Sequence, residues 1–123
     1  MGSHPVNLIL RFLLELIALA SAGLWGWKQS DNWLRFILAI GIPMLLAIIW
    51  GTFAVPNDPS RSGAAPIVTP GYLRLILEFG FFGFAIWTLK DMGWTKYAII
   101  LSVIILVHYI ISYDRVLWLL KNN

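Results

Sequence analysis

Two charged pairs inside otherwise apolar stretches are the residues of this chain whose types and spacing could do chemistry. Arg11 and Glu15 stand four residues apart, and Arg74 and Glu78 repeat that spacing. Residues at positions i and i+4 of a helix share a face, so each pair places a guanidinium beside a carboxylate. A carboxylate among apolar residues can bind a cation or exchange a proton, and such residues mark functional sites in membranes. The two pairs are the candidate polar centre.

The last apolar stretch carries two further polar side chains, His108 and Tyr109. A histidine changes charge close to neutral pH, so His108 is a candidate member of a proton relay, although a hydrogen-bonded packing role is the simpler interpretation. Tyr109 is a candidate ligand-binding residue or an interface aromatic. Glu15, Glu78 and His108 could coordinate zinc, but nothing in their spacing demands it, and the chain has no cysteine. We predict neither a metal nor a cofactor.

The composition of the chain is typical of an integral membrane protein. Of 123 residues, 59% are hydrophobic and only 12% are charged, with a mean hydropathy of +0.78. Soluble domains carry about twice this charged fraction, roughly 25%. The net charge of +3 is small and no basic stripe is present, which argues against a nucleic-acid partner. The partner that this composition predicts is the lipid bilayer.

Four apolar segments, each close to the roughly 20 residues that a membrane-spanning helix needs, divide the chain into two helical hairpins. Residues 1–6 are the N-terminus with a cloning-tag remnant and are left out of the fold. Residues 7–55 form the first predicted hairpin and residues 71–113 the second. Residues 56–70 are a proline-rich loop that we expect to be mobile. Residues 114–123 are an amphipathic tail that extends the last helix or lies along the membrane surface.

The two hairpins resemble copies of one unit. Arg74 follows Arg11 by 63 residues, and Trp94 follows Trp33 by 61. Any two apolar hairpins are alike to some degree, but the shared pattern Leu-Arg-x-x-Leu-Glu favours duplication. The first and third helices then run in the same direction, with a pseudo-two-fold axis along the membrane normal. The fold prediction is an all-α membrane protein with four transmembrane helices arranged as two duplicated helical hairpins.

The tryptophans predict which ends of the helices share a membrane surface. Tryptophan prefers the membrane–water interface, and five of the seven lie beside the two short turns: Trp25, Trp27, Trp33, Trp87 and Trp94. Both turns therefore lie at one surface, and both termini lie at the other with the proline-rich loop. Basic residues are divided almost equally between the two surfaces, so the positive-inside rule gives only a slight preference for cytoplasmic termini.

Small residues at helical spacing predict the faces along which the helices pack. The first helix continues from its charged pair to Ala18 and Ala22, and the second carries a ladder of four: Ala39, Pro43, Ala47 and Gly51. Small residues at this spacing let membrane helices approach closely. Pro43 also removes one hydrogen bond and crowds the carbonyl of Ala39, which kinks the helix or offers that carbonyl to a ligand.

Four motifs, in sequence order, resemble those of the YrdB family of small bacterial membrane proteins. They are Arg11-Phe12-Leu13-Leu14-Glu15-Leu16, Ala39-Ile40-Gly41-Ile42-Pro43, Trp50-Gly51-Thr52-Phe53-Ala54-Val55-Pro56 and Leu73-Arg74-Leu75-Ile76-Leu77-Glu78. The resemblance covers most of residues 7–89. It implies a multi-pass protein of the bacterial inner (cytoplasmic) membrane with four predicted spans. It supplies no activity, substrate or catalytic residue.

Two functions fit these residues. In the favoured one, Glu15, Glu78 and His108 line a cavity that binds or transports a small cationic or amphipathic molecule, with proton coupling. In the alternative, the Arg/Glu pairs form a closed network that holds helices, or the protomers of a homo-oligomer, together. An open pocket would favour binding, and a closed network would favour the structural role. No nucleophile–base pair, metal-ligand cluster or cofactor motif is visible, so an enzyme is not expected.

Overall fold

A computed structural model describes residues 5–55 and 66–121, and these residues form five α-helices and one pair of very short strands. The elements, in chain order, are α1 (Pro5–Trp27), α2 (Leu34–Thr52), β1 (Phe53–Ala54), β2 (Ile67–Val68), α3 (Gly71–Asp91), α4 (Thr95–Ile111) and α5 (Tyr113–Lys121). The prediction of an all-helical chain is confirmed for this part of the protein.

Three of the helices, α1, α2 and α3, are long and apolar enough to cross a membrane. Helix α4 has 17 residues and leads into α5 through a bend of 67°, and the two pass the same test only when taken together. The bend lies at Ser112, between the end of α4 and the start of α5. Residues 5–55 and 66–121 therefore hold three candidate spans, or four when the bent pair counts as one.

Helices α1 and α3 lie side by side in the same direction at the centre of the bundle. Towards their N-termini, Arg11 of α1 contacts Glu78 of α3, with 2.9 Å between Nη2 and Oε2. At the other end, the Trp25 indole donates a hydrogen bond to the Asp91 carboxylate, with 2.7 Å between Nε1 and Oδ2. Helix α2 packs mainly on α1, whereas α4 and α5 pack mainly on α3. The two central helices thus have different neighbours: α2 covers α1, whereas α4 and α5 cover α3.

The apolar core lies between α1, α3 and α4. Leu14 and Ala18 of α1 pack with Phe82 and Ala85 of α3, and Leu101 of α4 completes the cluster. The predicted packing residue Ala22 is also fully buried. The small alanine side chains let the two central helices approach closely, while Leu14 and Phe82 fill the space between them.

Two glycines set the closest approach between α1 and α2. A Cβ added at Gly26 would lie 2.7 Å from the carbonyl oxygen of Leu38, and one added at Gly23 would lie 3.1 Å from that of Ala39. Gly23 also faces the ring of Pro43, whose Cγ would lie 3.2 Å from its added Cβ. Ala39 and Pro43, two members of the predicted ladder, therefore lie in this contact.

Ala47 and Gly51, the other two members of the ladder, do not lie in the contact between α1 and α2. Ala47 is exposed, and a Cβ added at Gly51 would meet none of the described atoms within 4 Å. A spacing of four residues rotates each step by roughly 40° around a helix with 3.6 residues per turn. From Ala39 to Gly51 the ladder has therefore turned by about a third of a circle, and its second half leaves the α1 face.

A short parallel strand pair joins the two sides of the proline-rich loop. Phe53 pairs with Ile67 and Ala54 with Val68, and the Thr69 N–H donates to the Ala54 carbonyl at 2.9 Å. The end of the predicted loop is thereby fixed beside the end of α2. Residues 56–65, which carry most of the predicted mobile loop, lie outside the described residues.

The predicted amphipathic tail is helix α5, which folds back against the start of α3. Leu119 is fully buried there, and its carbonyl approaches Gly71 so closely that no Cβ could be placed at that glycine. Arg115, one turn earlier on the same face, is 2% exposed. Tyr113 and Lys121 remain exposed. The bend at Ser112 thus directs a charged side chain into the protein instead of along a membrane surface.

Candidate functional site

The fully buried carboxylate of Glu78 lies at the centre of the bundle and accepts hydrogen bonds from four side chains. Its Oε1 lies 2.7 Å from the Tyr109 hydroxyl, 2.9 Å from Arg115 Nη1 and 3.3 Å from Arg11 Nη1. Its Oε2 lies 2.7 Å from Arg115 Nη2, 2.9 Å from Arg11 Nη2 and 2.9 Å from Arg74 Nε. Six contacts exceed the roughly four lone-pair sites of a carboxylate, so its hydrogen-bonding capacity is filled.

These five residues, Arg11, Arg74, Glu78, Tyr109 and Arg115, form what is called the Glu78 cluster below. They come from four helices, α1, α3, α4 and α5. The fork of a guanidinium matches the two oxygens of a carboxylate, and both Arg11 and Arg115 use this two-bond geometry. The three arginines are at most 4% exposed, so water contributes little to their solvation.

Arg74 extends the Glu78 cluster to the remaining helix, because its guanidinium also binds the end of α2. Its Nη1 donates to the carbonyl oxygens of Trp50 at 2.5 Å and Phe53 at 2.7 Å. The last carbonyls of a helix have no partner within the helix, and their partial negative charge favours a cation. All five helices are thus tied to Glu78, either directly or through Arg74.

The indole of Trp50 covers the side of the Glu78 cluster that faces α2. Its ring centroid lies 4.4 Å from the guanidinium carbon of Arg74 and 5.0 Å from that of Arg11. It also packs against Phe81, with 4.5 Å between ring centroids. An aromatic face stabilises a guanidinium by cation–π attraction, more so where water is excluded. Trp50 therefore supports two of the three arginines.

Glu15 does not mirror Glu78, contrary to the expectation of two symmetric charged pairs. Its side chain is 22% exposed and lies 3.4 Å from Arg11 Nε, while the two terminal nitrogens of Arg11 bind Glu78. The Trp50 side chain also hydrogen-bonds to it. The physical reason for this asymmetry is that α5 packs on α3, where Arg115 completes the surroundings of Glu78 alone.

His108 belongs to a second buried polar group, with Asn7 of α1 and Ser112 at the bend. Its Nδ1 lies 3.0 Å from Asn7 Oδ1, and Asn7 Nδ2 donates to the Ser112 hydroxyl at 2.5 Å. Because an amide oxygen only accepts hydrogen bonds, Nδ1 carries the proton in this arrangement. The other nitrogen, Nε2, is buried and has no hydrogen-bond partner among the described residues. His108 packs beside Tyr109 at 5.1 Å between rings, but its hydrogen bond goes to Asn7 instead of Glu78.

The Glu78 cluster is suited to holding helices in place. Two charges removed from water stabilise a fold only when their geometry is good and their remaining donors and acceptors are satisfied. Loss of one partner of such a pair typically costs about 3–5 kcal/mol. Within residues 5–55 and 66–121 no group of three His, Asp or Glu residues could hold a metal ion.

Several cavities between the described helices are formed without any member of the Glu78 cluster. One of about 500 Å³ lies between α1 and α4, one of about 520 Å³ lies between α1 and α2, and one of about 150 Å³ lies between α2 and α3. Their walls are almost entirely apolar, and no member of the Glu78 cluster lines any of the three.

The predicted polar centre does not include Arg115 or Asn7. Arg115 stands in a short amphipathic run, a pattern equally typical of a helix at the membrane surface. The useful signal was that Arg115 and Leu119 share one face, which puts a cation on the side that becomes buried. Asn7 gave no signal, because a single amide near a helix start is common at helix ends.

Comparison with known proteins gives two matches and neither carries an activity. A family model described as "Protein of unknown function (DUF2568)" matches residues 9–106. The chain is 40% identical over 119 residues to the protein named "Uncharacterized protein YrdB" of Bacillus subtilis (strain 168), which covers 97% of both chains. No solved structure matches the chain.

Proposed function

We propose that this chain, which belongs to the YrdB family of unknown function (DUF2568), is a multi-pass membrane protein. Its Glu78 cluster locks the helices into one arrangement. The family resemblance drawn from the four motifs is confirmed. The role proposed for the cluster is that of a structural or interaction subunit.

The observation that carries this proposal is the saturation of Glu78. Its carboxylate is 0% exposed and receives six contacts from three arginines and one tyrosine. A carboxylate that exchanges protons or binds a substrate needs a free face. The closed network is the arrangement expected of a structural pair, because each charge is paired and its hydrogen bonds are made.

Exposed apolar side chains support the membrane part of the proposal. Helix α2 is the most apolar of the candidate spans and has no buried residue. Large side chains such as Ile40, Leu45 and Ile48 are more than half exposed on it. Monomeric soluble proteins rarely expose apolar patches beyond a few hundred Å². In a bilayer the exposed apolar side chains of α2 would contact hydrocarbon instead of water, so the helix would need no protein cover.

We also propose that the two hairpins are copies of one ancestral unit. The common direction of α1 and α3 supports an origin by duplication, after which α5 made the two charged pairs unequal. The cytoplasmic membrane of a bacterium is the proposed location, and a homo-oligomer remains a candidate assembly through the exposed face of α2.

The test compares Glu78→Gln with Glu15→Gln, which makes the same chemical change in a carboxylate that is only partly buried. Loss of the Glu78 charge leaves three arginines buried without their common partner, so we expect destabilisation of about 3–5 kcal/mol. Glu15→Gln should cost about 1 kcal/mol or less, because a partly exposed pair contributes little. The measurement is the thermal unfolding midpoint in detergent, with carbonate extraction of native membranes to check integration.

Equal stability of Glu78→Gln and the parent protein would contradict the structural role. Release of the parent protein by carbonate would contradict membrane integration, whatever the effect of the two substitutions.

A second candidate is the binding or transport of a small molecule at the polar centre. The observation that favours it is the buried Nε2 of His108, which has no hydrogen-bond partner among the described residues. A cationic ligand fits this centre poorly, because three guanidinium groups surround Glu78. An amphipathic molecule fits the apolar walls between the helices better.

A further inference from the structure

The cavity of about 500 Å³ between α1 and α4 is separate from the Glu78 cluster. Its wall is apolar for the most part and includes Ile17, Ala20, Leu24, Trp94, Tyr97 and Ile104. The volume falls in the range of roughly 300–1,000 Å³ that small-molecule sites occupy. The cavity is open on one side, since Leu24 and Tyr97 in its wall are 44% and 60% exposed, so in a bilayer hydrocarbon would fill it.

The length of the cavity corresponds to one leaflet of a bilayer. Its lining runs along α4 from Trp94 to Ile104. Ten residues rise about 15 Å in an α-helix at 1.5 Å per residue. A hydrocarbon core is about 30 Å thick, so the cavity reaches from the membrane surface at the short turns to about the middle.

A cation stands at the outer end of the cavity. The Lys28 N–H donates to the Leu24 carbonyl at 3.1 Å, so Lys28 continues the face of α1 that lines the cavity. The ammonium of Lys28 lies 4.9 Å from the ring centroid of Trp94. Lys28 is exposed and can also meet a ligand from the membrane surface.

The order of these groups matches the order of groups in a phospholipid. An apolar channel would hold an acyl chain, a tryptophan prefers the interfacial level of the glycerol region, and a lysine attracts an anionic headgroup. We propose that this cavity binds one acyl chain of an anionic phospholipid, with the lipid phosphate beside the Lys28 ammonium. The site rests on the proposed membrane-spanning function and adds a ligand class to it.

The experiment measures quenching of tryptophan fluorescence by brominated lipids in reconstituted bilayers. The full chain is placed in phosphatidylcholine bilayers with a fixed fraction of lipid brominated in its acyl chains, either phosphatidylglycerol or phosphatidylcholine. The contribution of Trp94 is the difference from Trp94→Phe. We expect brominated phosphatidylglycerol to occupy the site about fivefold more strongly, which corresponds to about 1 kcal/mol for one lysine at an anionic surface.

Two matched pairs of variants separate the charge from the cavity. Lys28→Ala should abolish the preference for phosphatidylglycerol, whereas Lys90→Ala, an exposed lysine at the same end of the bundle, should keep it. Ala20→Phe fills the cavity and should reduce quenching of Trp94 by both lipids. Ala47→Phe makes the same change on the exposed face of α2 and should leave that quenching unchanged.

Equal quenching of Trp94 by the two brominated lipids would mean an ordinary lipid shell and would overturn the proposed site while leaving the membrane proposal intact. Unchanged quenching in Ala20→Phe would overturn it as well. If neither brominated lipid quenches any tryptophan, the protein does not enter the bilayer, and the proposed function fails together with the site.

Discussion

Arg115 and Glu78, 37 residues apart in sequence, form a two-bond ion pair in which each guanidinium nitrogen faces its own carboxylate oxygen, at 2.9 Å and 2.7 Å. This pair places α5 against α3 and turns a tail helix into part of the core. Its geometry exists because the chain bends by 67° between α4 and α5.

Replacement of Arg115 should destabilise the protein less than replacement of Glu78. In Arg115→Ala the carboxylate keeps Arg11 and Arg74, so we expect a loss of about 2–3 kcal/mol, in the range of hydrogen bonds to charged groups. Arg115→Lys keeps the charge but not the fork and should fall between the parent and Arg115→Ala. The thermal unfolding midpoints of the parent protein, Arg115→Lys and Arg115→Ala in detergent test this order of stability. Lys121→Ala, on the exposed end of the same helix, is the control and should have no measurable effect.

The Tyr109 hydroxyl should contribute measurably to stability. Tyr109→Phe removes a 2.7 Å hydrogen bond to a charged acceptor while it keeps the ring, and the expected cost is about 1.5–3 kcal/mol. Tyr113→Phe removes a hydroxyl from a side chain that is 65% exposed and should change stability by less than about 0.5 kcal/mol. Similar unfolding midpoints for the two variants would show that the hydroxyl of Tyr109 is not part of the network.

Docking of α5 should depend on the absence of a side chain at Gly71. Gly71→Ala places a Cβ on the backbone of Leu119, so α5 has to move away from α3. We expect faster proteolysis within residues 113–121 and a lower unfolding midpoint. Gly80→Ala, on the same helix with open space around it, should leave the proteolysis rate unchanged. Equal rates in both variants would argue against the close contact of α5 and α3.

Two Gly→Ala changes on the first hairpin should have opposite effects on the stability of the protein. Gly26→Ala pushes a Cβ to 2.7 Å from the Leu38 carbonyl oxygen, and overpacking of this kind costs about 1–3 kcal/mol. Gly41→Ala meets open space inside α2, where alanine favours the helix by about 1 kcal/mol. The unfolding midpoint should therefore fall for Gly26→Ala and rise for Gly41→Ala. A fall for both would mean that Gly41 is packed against another surface in the detergent-solubilised protein.

The buried arginines change the expected membrane orientation. Arg11, Arg74 and Arg115 belong to the Glu78 cluster, so they are not surface charges at the end of the bundle that holds the termini. The turn end carries four basic residues, Lys28, Arg35, Lys90 and Lys96. The positive-inside rule then favours short turns in the cytoplasm, which reverses the slight preference drawn from the sequence.

The cysteine-free chain makes this orientation directly measurable. Ser30→Cys in the first turn should react with a membrane-impermeant maleimide only after the membrane is permeabilised. Lys121→Cys should react in intact protoplasts. The reverse labelling pattern would place the termini inside.

The local features of the fold were predictable from sequence, and the long-range ones were not. Apolar runs of spanning length predict α1, α2 and α3, because a helix is the local solution for such a run. The spacing of Arg74 and Glu78 predicts their i,i+4 contact, which forms at 2.9 Å. The repeat, however, predicts that Glu15 and Glu78 are equivalent, and they differ because α5 reaches only one of them. A bend at a single residue such as Ser112 decides that outcome and leaves no periodic signal.

The distance along the chain between Glu78 and Arg115 has a consequence for biosynthesis. Arg115 is synthesised only after α1, α2, α3 and α4, so until α5 has been made the Glu78 carboxylate has Arg11 and Arg74 but lacks the two-bond contact from α5. Two of the six contacts to the carboxylate therefore wait for α5. The Glu78 cluster can close only once α5 has been made, so the last of the five described helices is also the one that completes the bundle.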